Sequence, residues 1–273
     1  MAKLFGLFNY EKEGPGIDKN APPKKTFIVF FETFFRNFWK FITVNLVYLI
    51  CSLPIITCGL ANAGITNITR NIARDKHSFM SSDFFETIKK NWKQALPVGI
   101  INTVSYALLF FAFRFYFMTK GKLNIIGVGA CFAIFIIFSF MNYFIWTLMI
   151  TFKFSIKQLY TNSFKFAFIN LKGNILCSIC LILLYAIYIF LAVLFDSWGV
   201  LLIEIAVAML TLPCFRFLLV QYCTFPSIKK FIIDPYYEAH PDEDLEKRRD
   251  LGLEVYEEAS ENDEDEDDGE ADI

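Results

Sequence analysis

Long apolar runs constrain this 273-residue chain more than any other feature. Four of them, 95–117, 123–150, 174–195 and 199–222, reach or exceed the roughly 20 residues that an α-helix needs to cross the hydrocarbon core of a bilayer. Hydrophobic residues make up 55% of the chain, and its mean hydropathy is +0.44. The sequence therefore predicts an all-α, polytopic membrane helix bundle surrounded by lipid.

A further apolar stretch is interrupted at Leu53-Pro54. Proline lacks a backbone N–H and disfavours helix at the residue before it, so the sequence predicts a helix break here. Gly59, which follows closely, is placed at the same break and permits close helix packing. If the chain reverses at Pro54, residues 55–73 form a returning helix and the bundle has six crossings. If 38–73 crosses once, the bundle has five.

The distribution of Lys and Arg favours the reversal. With six crossings, 17 basic residues lie in connections on one side of the membrane and 2 on the other. With five crossings, the two sides carry 11 and 8. Because Lys and Arg accumulate on the cytoplasmic side of membrane proteins, the sequence predicts six spanning helices with both termini in the cytoplasm.

Charge and composition divide the chain into four parts. We predict an N-terminal loop (1–23), a membrane helix bundle (24–228), a basic cytoplasmic segment with a short helix (229–253) and an acidic tail (254–273). Residues 254–272 contain 12 Asp or Glu and no Lys or Arg. Such a segment repels itself and has little to bury, so the tail is predicted to be disordered.

Aromatic, amphipathic stretches precede several of the apolar runs and predict helices lying in the cytoplasmic membrane interface. Phe30-Phe31-Glu32-Thr33, followed by Asn37, matches Phe84-Phe85-Glu86-Thr87, followed by Asn91, at a constant offset of 54. A weaker third copy begins at Ser163-Phe164. Two interpretations remain open, a structural repeat or three independent interfacial helices with aromatic and snorkelling basic side chains.

Sequence signals for metal binding or catalysis are weak. His77 and His240 are the only histidines, and neither has a second ligand at metal-binding spacing. Cys177 and Cys180 form a CxxC pattern inside an apolar helix without partner ligands. No phosphate-binding loop or HExxH pattern occurs. The sequence predicts a protein that is not an enzyme and has no metal, no cofactor and no nucleic-acid partner.

Polar residues inside the predicted spans are better candidates for a site. Asn62, Thr66 and Arg70 follow one another at i, i+4 and i+8, so they lie on one face of the returning helix. Three asparagines of other spans can meet that face: Asn45, Asn102 and Asn142. These residues form either a polar path for a small sugar or polyol, or hydrogen bonds between helices.

Two charged residues also lie within the apolar runs. Arg114 is near the end of the run 95–117 and Glu204 is near the start of 199–222. Both ends face the same side of the membrane, and an unpaired charge in hydrocarbon is costly. They form either an intramembrane ion pair or two separate side chains that snorkel to the interface.

Two blocks resemble a known family. The first contains Asn45-Leu46, Ser52-Leu53-Pro54-Ile55-Ile56-Thr57-Cys58-Gly59 and Ala63. The second contains Asp83-Phe84-Phe85 and Lys90-Asn91-Trp92-Lys93-Gln94-Ala95. Together they resemble the YesL family (domain of unknown function 624) of bacterial integral membrane proteins.

The resemblance implies a role but no chemistry. It implies a multi-pass protein of the bacterial plasma membrane that serves as a non-enzymatic accessory component of carbohydrate uptake. The implied partners are subunits of a sugar ABC transporter. Independently of the resemblance, the charged C-terminal tail is a candidate contact for another cytoplasmic partner. The alternative is a transporter or channel for a small sugar or polyol. No catalytic residues are carried over from the family.

Overall fold

Helices account for nearly all of the chain that the structure describes. The computed structural model describes residues 26–195 and 197–239, and these residues contain no β-strand. The parts predicted as an N-terminal loop (1–23) and an acidic tail (254–273) lie outside the described residues, as does most of the segment 229–253. The helices in chain order are α1 (Thr26–Arg36), α2 (Phe38–Ser52), α3 (Cys58–Ala73), α4 (Met80–Met118), α5 (Lys122–Thr151), α6 (Ile156–Ile169), α7 (Leu171–Phe195), α8 (Trp198–Ile228) and α9 (Asp234–Ala239), with a 3₁₀ turn at Ile55–Thr57 and a π-helical turn at Lys229–Ile233.

Four helices, α4, α5, α7 and α8, are long and apolar enough to cross a membrane. The predicted all-helical membrane protein is therefore confirmed in outline. Helices α2 and α3 have 15 and 16 residues, which correspond to about 23 and 24 Å of helix. Each is shorter than the ~20 residues that a spanning helix requires, so helix length does not establish six crossings.

Helices α2 and α3 form an antiparallel hairpin. Pro54, in an extended conformation (φ −76°, ψ 120°), separates them at the position where the sequence predicts a break. The Tyr48 hydroxyl donates to Asn62 Oδ1 across the hairpin at 3.0 Å, and the Thr57 hydroxyl donates to the Cys51 carbonyl at 2.6 Å. These bonds fix the register of the two helices.

The hairpin packs beside the first half of α4. Gly59, near the tip, meets Gly99 of α4, and Asn67, further along α3, donates to the Thr87 hydroxyl at 2.8 Å. The stretch 84–94, predicted as a separate interfacial helix, is instead the continuous first part of α4. Residues 80–96 contain no Gly or Pro, and the helix continues through Pro97, which lies inside α4.

Beyond the Gly59–Gly99 contact near the hairpin tip, the four long helices continue, and α2 still lies beside residues 205–212 of α8. Helix α4 extends 19 more residues, from Ile100 to Met118, or about 28 Å. The other three long helices contribute segments of similar length. We call this part of the bundle the apolar tier and define it as residues 100–118, 124–141, 179–195 and 198–215. Its length approaches the roughly 30 Å of a hydrocarbon core.

The first two copies of the aromatic pattern adopt the same local structure. Phe30 and Phe84 are both buried. The Asn37 side chain donates to the Thr33 carbonyl at 3.0 Å, and Asn91 donates to the carbonyl of Thr87, also at 3.0 Å. The elements nevertheless differ, because the first copy is the separate helix α1 and the second belongs to α4.

The third stretch forms helix α6. It begins with a capping box, in which Ser155 and Gln158 bond each other's backbone N–H groups. This reciprocal capping satisfies two donors that would otherwise lack partners at the start of the helix. The third stretch is therefore an independent helix, unlike the second.

Candidate functional site

Arg216 of α8 lies where the apolar tier meets the hairpin. Its side chain lines three adjoining cavities of about 620, 310 and 140 Å³. The guanidinium carbon lies 5.7 Å from the centre of the Phe217 ring. Among the residues that the structure describes, no carboxylate forms an ion pair with Arg216. A charged side chain at membrane depth is costly and typically marks a functional site.

Asn45 of α2 holds α8 one turn before Arg216. Its side-chain amide donates to the Leu210 carbonyl at 2.6 Å and accepts from the Cys214 N–H at 2.9 Å. In an uninterrupted helix, these two backbone groups would bond each other. Pro213 already removes one N–H from this turn. The buried amide of Asn45 thereby satisfies the locally opened backbone and fixes α2 against α8.

A hydrogen-bonded chain of side chains crosses three helices beside Arg216. The Tyr160 hydroxyl of α6 donates to Asn102 Oδ1 at 2.8 Å. Asn102 Nδ2 donates to Asn142 Oδ1 at 3.0 Å, and Asn142 Nδ2 donates to the Tyr106 hydroxyl at 3.1 Å. Asn102, Asn142 and Tyr106 line the 140 Å³ cavity together with Arg216. This cavity is small and polar.

The 620 Å³ chamber has a different character. Its walls are mainly Phe, Ile and Leu side chains of α5 and α7, and it is partly open to the surface. Polar groups in the lining include Arg216, Tyr106 and the Tyr143–Ser178 pair, whose hydroxyl oxygens lie 2.8 Å apart. The chamber thus combines a large apolar volume with one cation and a few hydroxyl groups.

The structure brings together three of the asparagines predicted to share a site. Asn62 of α3, Asn102 of α4 and Asn142 of α5 all line the 140 Å³ cavity. Asn45 does not reach this cavity, because its amide is engaged with α8.

The rest of the predicted polar face does not line the cavity. The Thr66 hydroxyl is buried and donates to the Asn62 carbonyl of its own helix at 2.6 Å. Arg70 donates to Thr151 Oγ1 at 3.0 Å and to Asn67 Oδ1 at 2.9 Å. These two side chains join or stabilise helices, which was the alternative interpretation of the pattern.

The predicted ion pair between Arg114 and Glu204 does not form. Both carboxylate oxygens of Glu204 are shielded from solvent and accept no hydrogen bond from any described residue. Arg114 is exposed on α4. The physical reason is that α4 packs mainly on α3 and α5, whereas α8 packs mainly on α7, α2 and α3. The two residues therefore lie on different faces of the bundle.

Sequence reasoning missed Arg216. The available signal was simple, because Arg216 is the only basic residue within the apolar run 199–222. Glu204 was singled out there because it had a candidate partner at similar depth. The only basic residue of the run therefore indicated the site better than an acidic residue with a possible partner did.

The described residues offer no cluster of three or more His, Cys, Asp and Glu side chains that could hold a metal ion. All seven cysteines are free thiols, and Cys177 is buried while Cys180 is half-buried. His77 is exposed beside Phe79, and His240 lies outside the described residues.

Most of the hairpin and part of the site lie in a segment that matches a known family. Residues 41–113, from α2 through most of α4, match the family described as "Protein of unknown function, DUF624". We refer to residues 41–113, which are similar to this family, as the DUF624 segment. The resemblance to the YesL family is thereby confirmed, since DUF624 contains the YesL-like proteins. No curated protein and no solved structure matches the chain.

The DUF624 segment supplies one side of the Arg216 site. It contains Asn62, Asn102 and Tyr106 of the cavity lining and Asn45, which holds α8. Asn142 and Arg216 lie outside the segment, so the site is completed by the C-terminal half of the chain.

Proposed function

We propose that this chain is a non-enzymatic membrane protein that binds a lipid with an anionic head group at Arg216. The observation that carries the proposal is a single cation, without an ion-pair partner among the described residues, in the lining of a 620 Å³ apolar chamber. An anionic head group supplies the missing charge, and an acyl chain fills the apolar volume between α5 and α7.

The chemistry of the chamber favours a lipid over a sugar. A sugar carries many hydroxyl groups, and each one buried without a hydrogen-bond partner costs about 1–3 kcal/mol. The chamber walls are mainly apolar, with Phe132, Phe135, Ile179 and Ile182 among them, and its hydroxyl groups belong to two Ser and three Tyr side chains. The polar cavity beside it has the right chemistry for a polyol, but its 140 Å³ lies well below the ~300 Å³ at which ligand pockets usually begin.

The position of Arg216 along α8 agrees with a lipid head group. The 18 residues from Trp198 to Phe215 span about 27 Å before Arg216 is reached. If the far end of the apolar tier lies at one membrane interface, Arg216 lies close to the other, where head groups reside. An acyl chain then runs from Arg216 into the tier, beside α5 and α7.

The same depth argument gives our proposal for topology. Helices α4, α5, α7 and α8 cross the membrane, and the α2–α3 hairpin enters from the cytoplasmic side without reaching the far side. Its connections have the same charge balance as six crossings, 17 basic residues against 2. Both termini are then cytoplasmic, as the positive-inside rule requires. With the family resemblance, this supports a location in the bacterial plasma membrane.

A role in carbohydrate uptake stays a prediction from the resemblance. A lipid-binding protein with exposed apolar helices suits an accessory component that contacts a sugar ABC transporter, or a cytoplasmic partner that contacts the tail. Mild-detergent purification from native membranes tests the prediction, because transporter subunits should co-purify. The transporter alternative is less well supported, because Thr66 and Arg70 of the proposed path are engaged in hydrogen bonds within and between helices.

Lipid binding at Arg216 is tested by native mass spectrometry of the protein released from nanodiscs that contain phosphatidylglycerol and phosphatidylcholine. We expect the wild type to retain phosphatidylglycerol preferentially and Arg216→Gln to retain at least one molecule fewer. Arg114→Gln is the matched control, since it removes an exposed arginine of the tier that lines no described cavity. Equal retention by wild type and Arg216→Gln would contradict the proposal.

A second pair of variants tests the chamber without touching Arg216. Ile179→Trp fills part of the chamber from α7, and Ile187→Trp places the same ring on an exposed part of α7 outside the chamber. We expect only Ile179→Trp to reduce lipid retention. If both variants retain lipid as the wild type does, the acyl chain does not occupy the chamber.

A further inference from the structure

A second charged cavity lies at the end of the bundle remote from the apolar tier. It has a volume of about 340 Å³ and is lined by the end of α3, including Arg70 and Arg74, and by part of α8, including Gln221 and Phe225. Gln221 follows Arg216 by five residues of helix, or about 7 Å. The cavity therefore lies further from the tier than Arg216, at the depth of head groups and cytoplasmic solvent.

Two arginines converge on this cavity. Arg70 is fixed by its bonds to Thr151 and Asn67, and the Arg74 guanidinium carbon lies 4.1 Å from the centre of the Phe225 ring. Burial, and then the charge of Arg70, lower the pKa of Arg74 to about 9. Arg74 therefore stays charged at pH 7, and its charge attracts an anion into the cavity.

Two buried atoms of the cavity lining lack a hydrogen-bond partner. Arg74 Nη2 is a donor without an acceptor, and Gln221 Oε1 is an acceptor without a donor. The Gln221 side chain is 2% exposed, and its amide nitrogen is held by the Thr147 hydroxyl at 3.0 Å. Buried polar atoms without partners are rare in folded proteins, so the pair indicates a missing ligand or bound water.

Within residues 26–195 and 197–239, the neighbouring groups do not account for this arrangement. Asp75 lines the cavity, but its carboxylate is bonded to Arg36. The C-terminal end of a helix favours basic residues, which accounts for arginines at the end of α3. A helix dipole does not supply an acceptor for Nη2 or a donor for Gln221.

We infer that the cavity binds a phosphate ester that also carries a hydroxyl group. The phosphate oxygens accept from Arg74 and balance its charge, and the ligand's hydroxyl donates to Gln221 Oε1. Guanidinium groups suit phosphate because their planar N–H fork matches its oxygens. Phosphorylated sugars, glycerol phosphate and the head group of phosphatidylglycerol share this chemistry. The inference does not depend on lipid binding at Arg216.

Calorimetry on the full chain in phosphatidylcholine nanodiscs tests the phosphate contact, with glycerol 3-phosphate as the probe. We expect saturable binding by the wild type. Arg74→Gln should bind about tenfold more weakly or worse, because a hydrogen bond to a charged group contributes about 1.5–3 kcal/mol. Arg114→Gln, the matched control, should bind within about twofold of the wild type, because its guanidinium is remote from the cavity.

A lipid arm distinguishes the two sources of the phosphate. In nanodiscs that contain phosphatidylglycerol, a lipid lost from Arg74→Gln but kept by Arg216→Gln and Arg114→Gln identifies a lipid head group. Binding of glycerol 3-phosphate in phosphatidylcholine alone identifies a soluble ester. Absence of binding in both arms, or binding by Arg74→Gln equal to the wild type in both, overturns the inference.

The contact with Gln221 is tested on the wild-type protein, so that misfolding of a variant cannot obscure the result. Methyl phosphate carries the ester phosphate but no hydroxyl group. We expect glycerol 3-phosphate to bind several-fold more tightly than methyl phosphate, since only its hydroxyl satisfies Gln221 Oε1. Equal affinities would overturn the part of the inference that assigns a hydroxyl to the ligand.

Discussion

Gly59 of α3 packs directly against Gly99 of α4. A Cβ atom on Gly59 would lie 2.7 Å from the Gly99 Cα, closer than side chains approach backbone in folded proteins. Only glycine at both positions permits the two helix backbones to approach this closely. The contact seats the α2–α3 hairpin on α4 and brings Asn62 to the same cavity as Asn102.

Gly59→Ala should therefore destabilise the bundle. The added methyl group meets backbone atoms, which cannot rotate away, and overpacking of this kind costs about 1–3 kcal/mol. Thermal unfolding in detergent measures the effect. Gly129→Ala is the control, because its Cβ would meet nothing within 4 Å and alanine favours helix over glycine by up to about 1 kcal/mol. Equal melting temperatures for wild type and Gly59→Ala would contradict the packing described.

Asn45→Ala should be more damaging than an ordinary polar substitution. It leaves the Cys214 N–H and the Leu210 carbonyl without their partner, and each buried unsatisfied group costs about 1–3 kcal/mol. Denaturant unfolding measures the loss, which should reach about 2 kcal/mol or more. Thr43→Ala is the control on the same helix, since Thr43 is exposed and bonds only its own helix. A loss no greater than that of the control would count against the bridge.

Asn102 and Asn142 should show energetic coupling. Asn102→Leu or Asn142→Leu alone leaves a buried amide without its partner, whereas the double variant removes both. The double variant should therefore be less destabilised than the sum of the single variants, by about 0.5–2 kcal/mol. Unfolding free energies of the four proteins give the coupling directly, and additive effects would rule out a stabilising contact.

Cysteine labelling from outside intact cells distinguishes our proposed topology from six crossings. In a cysteine-free variant, Ile55→Cys at the hairpin tip should not react with a membrane-impermeant maleimide, because the tip stops short of the outer surface. Six crossings place this residue outside, and labelling there would refute the four-span proposal.

Two further positions calibrate the labelling. Lys120→Cys, in the turn between α4 and α5, should be labelled from outside under either arrangement. His77→Cys, between α3 and α4, should be labelled only after the cells are opened. Labelling of His77→Cys from outside would exclude both arrangements.

Some parts of the site could be predicted from residue type and spacing. Buried amides in apolar helices require hydrogen-bond partners, which predicts that Asn62, Asn102 and Asn142 lie together. The three residues do line one cavity. The ion pair between Arg114 and Glu204 was predicted only from their similar depth in the membrane. Depth does not specify which face of the bundle a residue occupies. Arg216 is the only basic residue of the apolar run 199–222, but the sequence does not show that cavities surround it.

The sequence by itself determined that this protein is a bundle of apolar helices, because segments of this length and hydropathy are stable only as lipid-exposed or buried helices. It also determined the break at Pro54, since proline restricts the backbone locally. Only the tertiary structure decided how far the α2–α3 hairpin reaches along α4, because that depends on the fit of Gly59 to Gly99. It also decided which charges face a cavity, because this depends on how helices distant in sequence pack around Arg216.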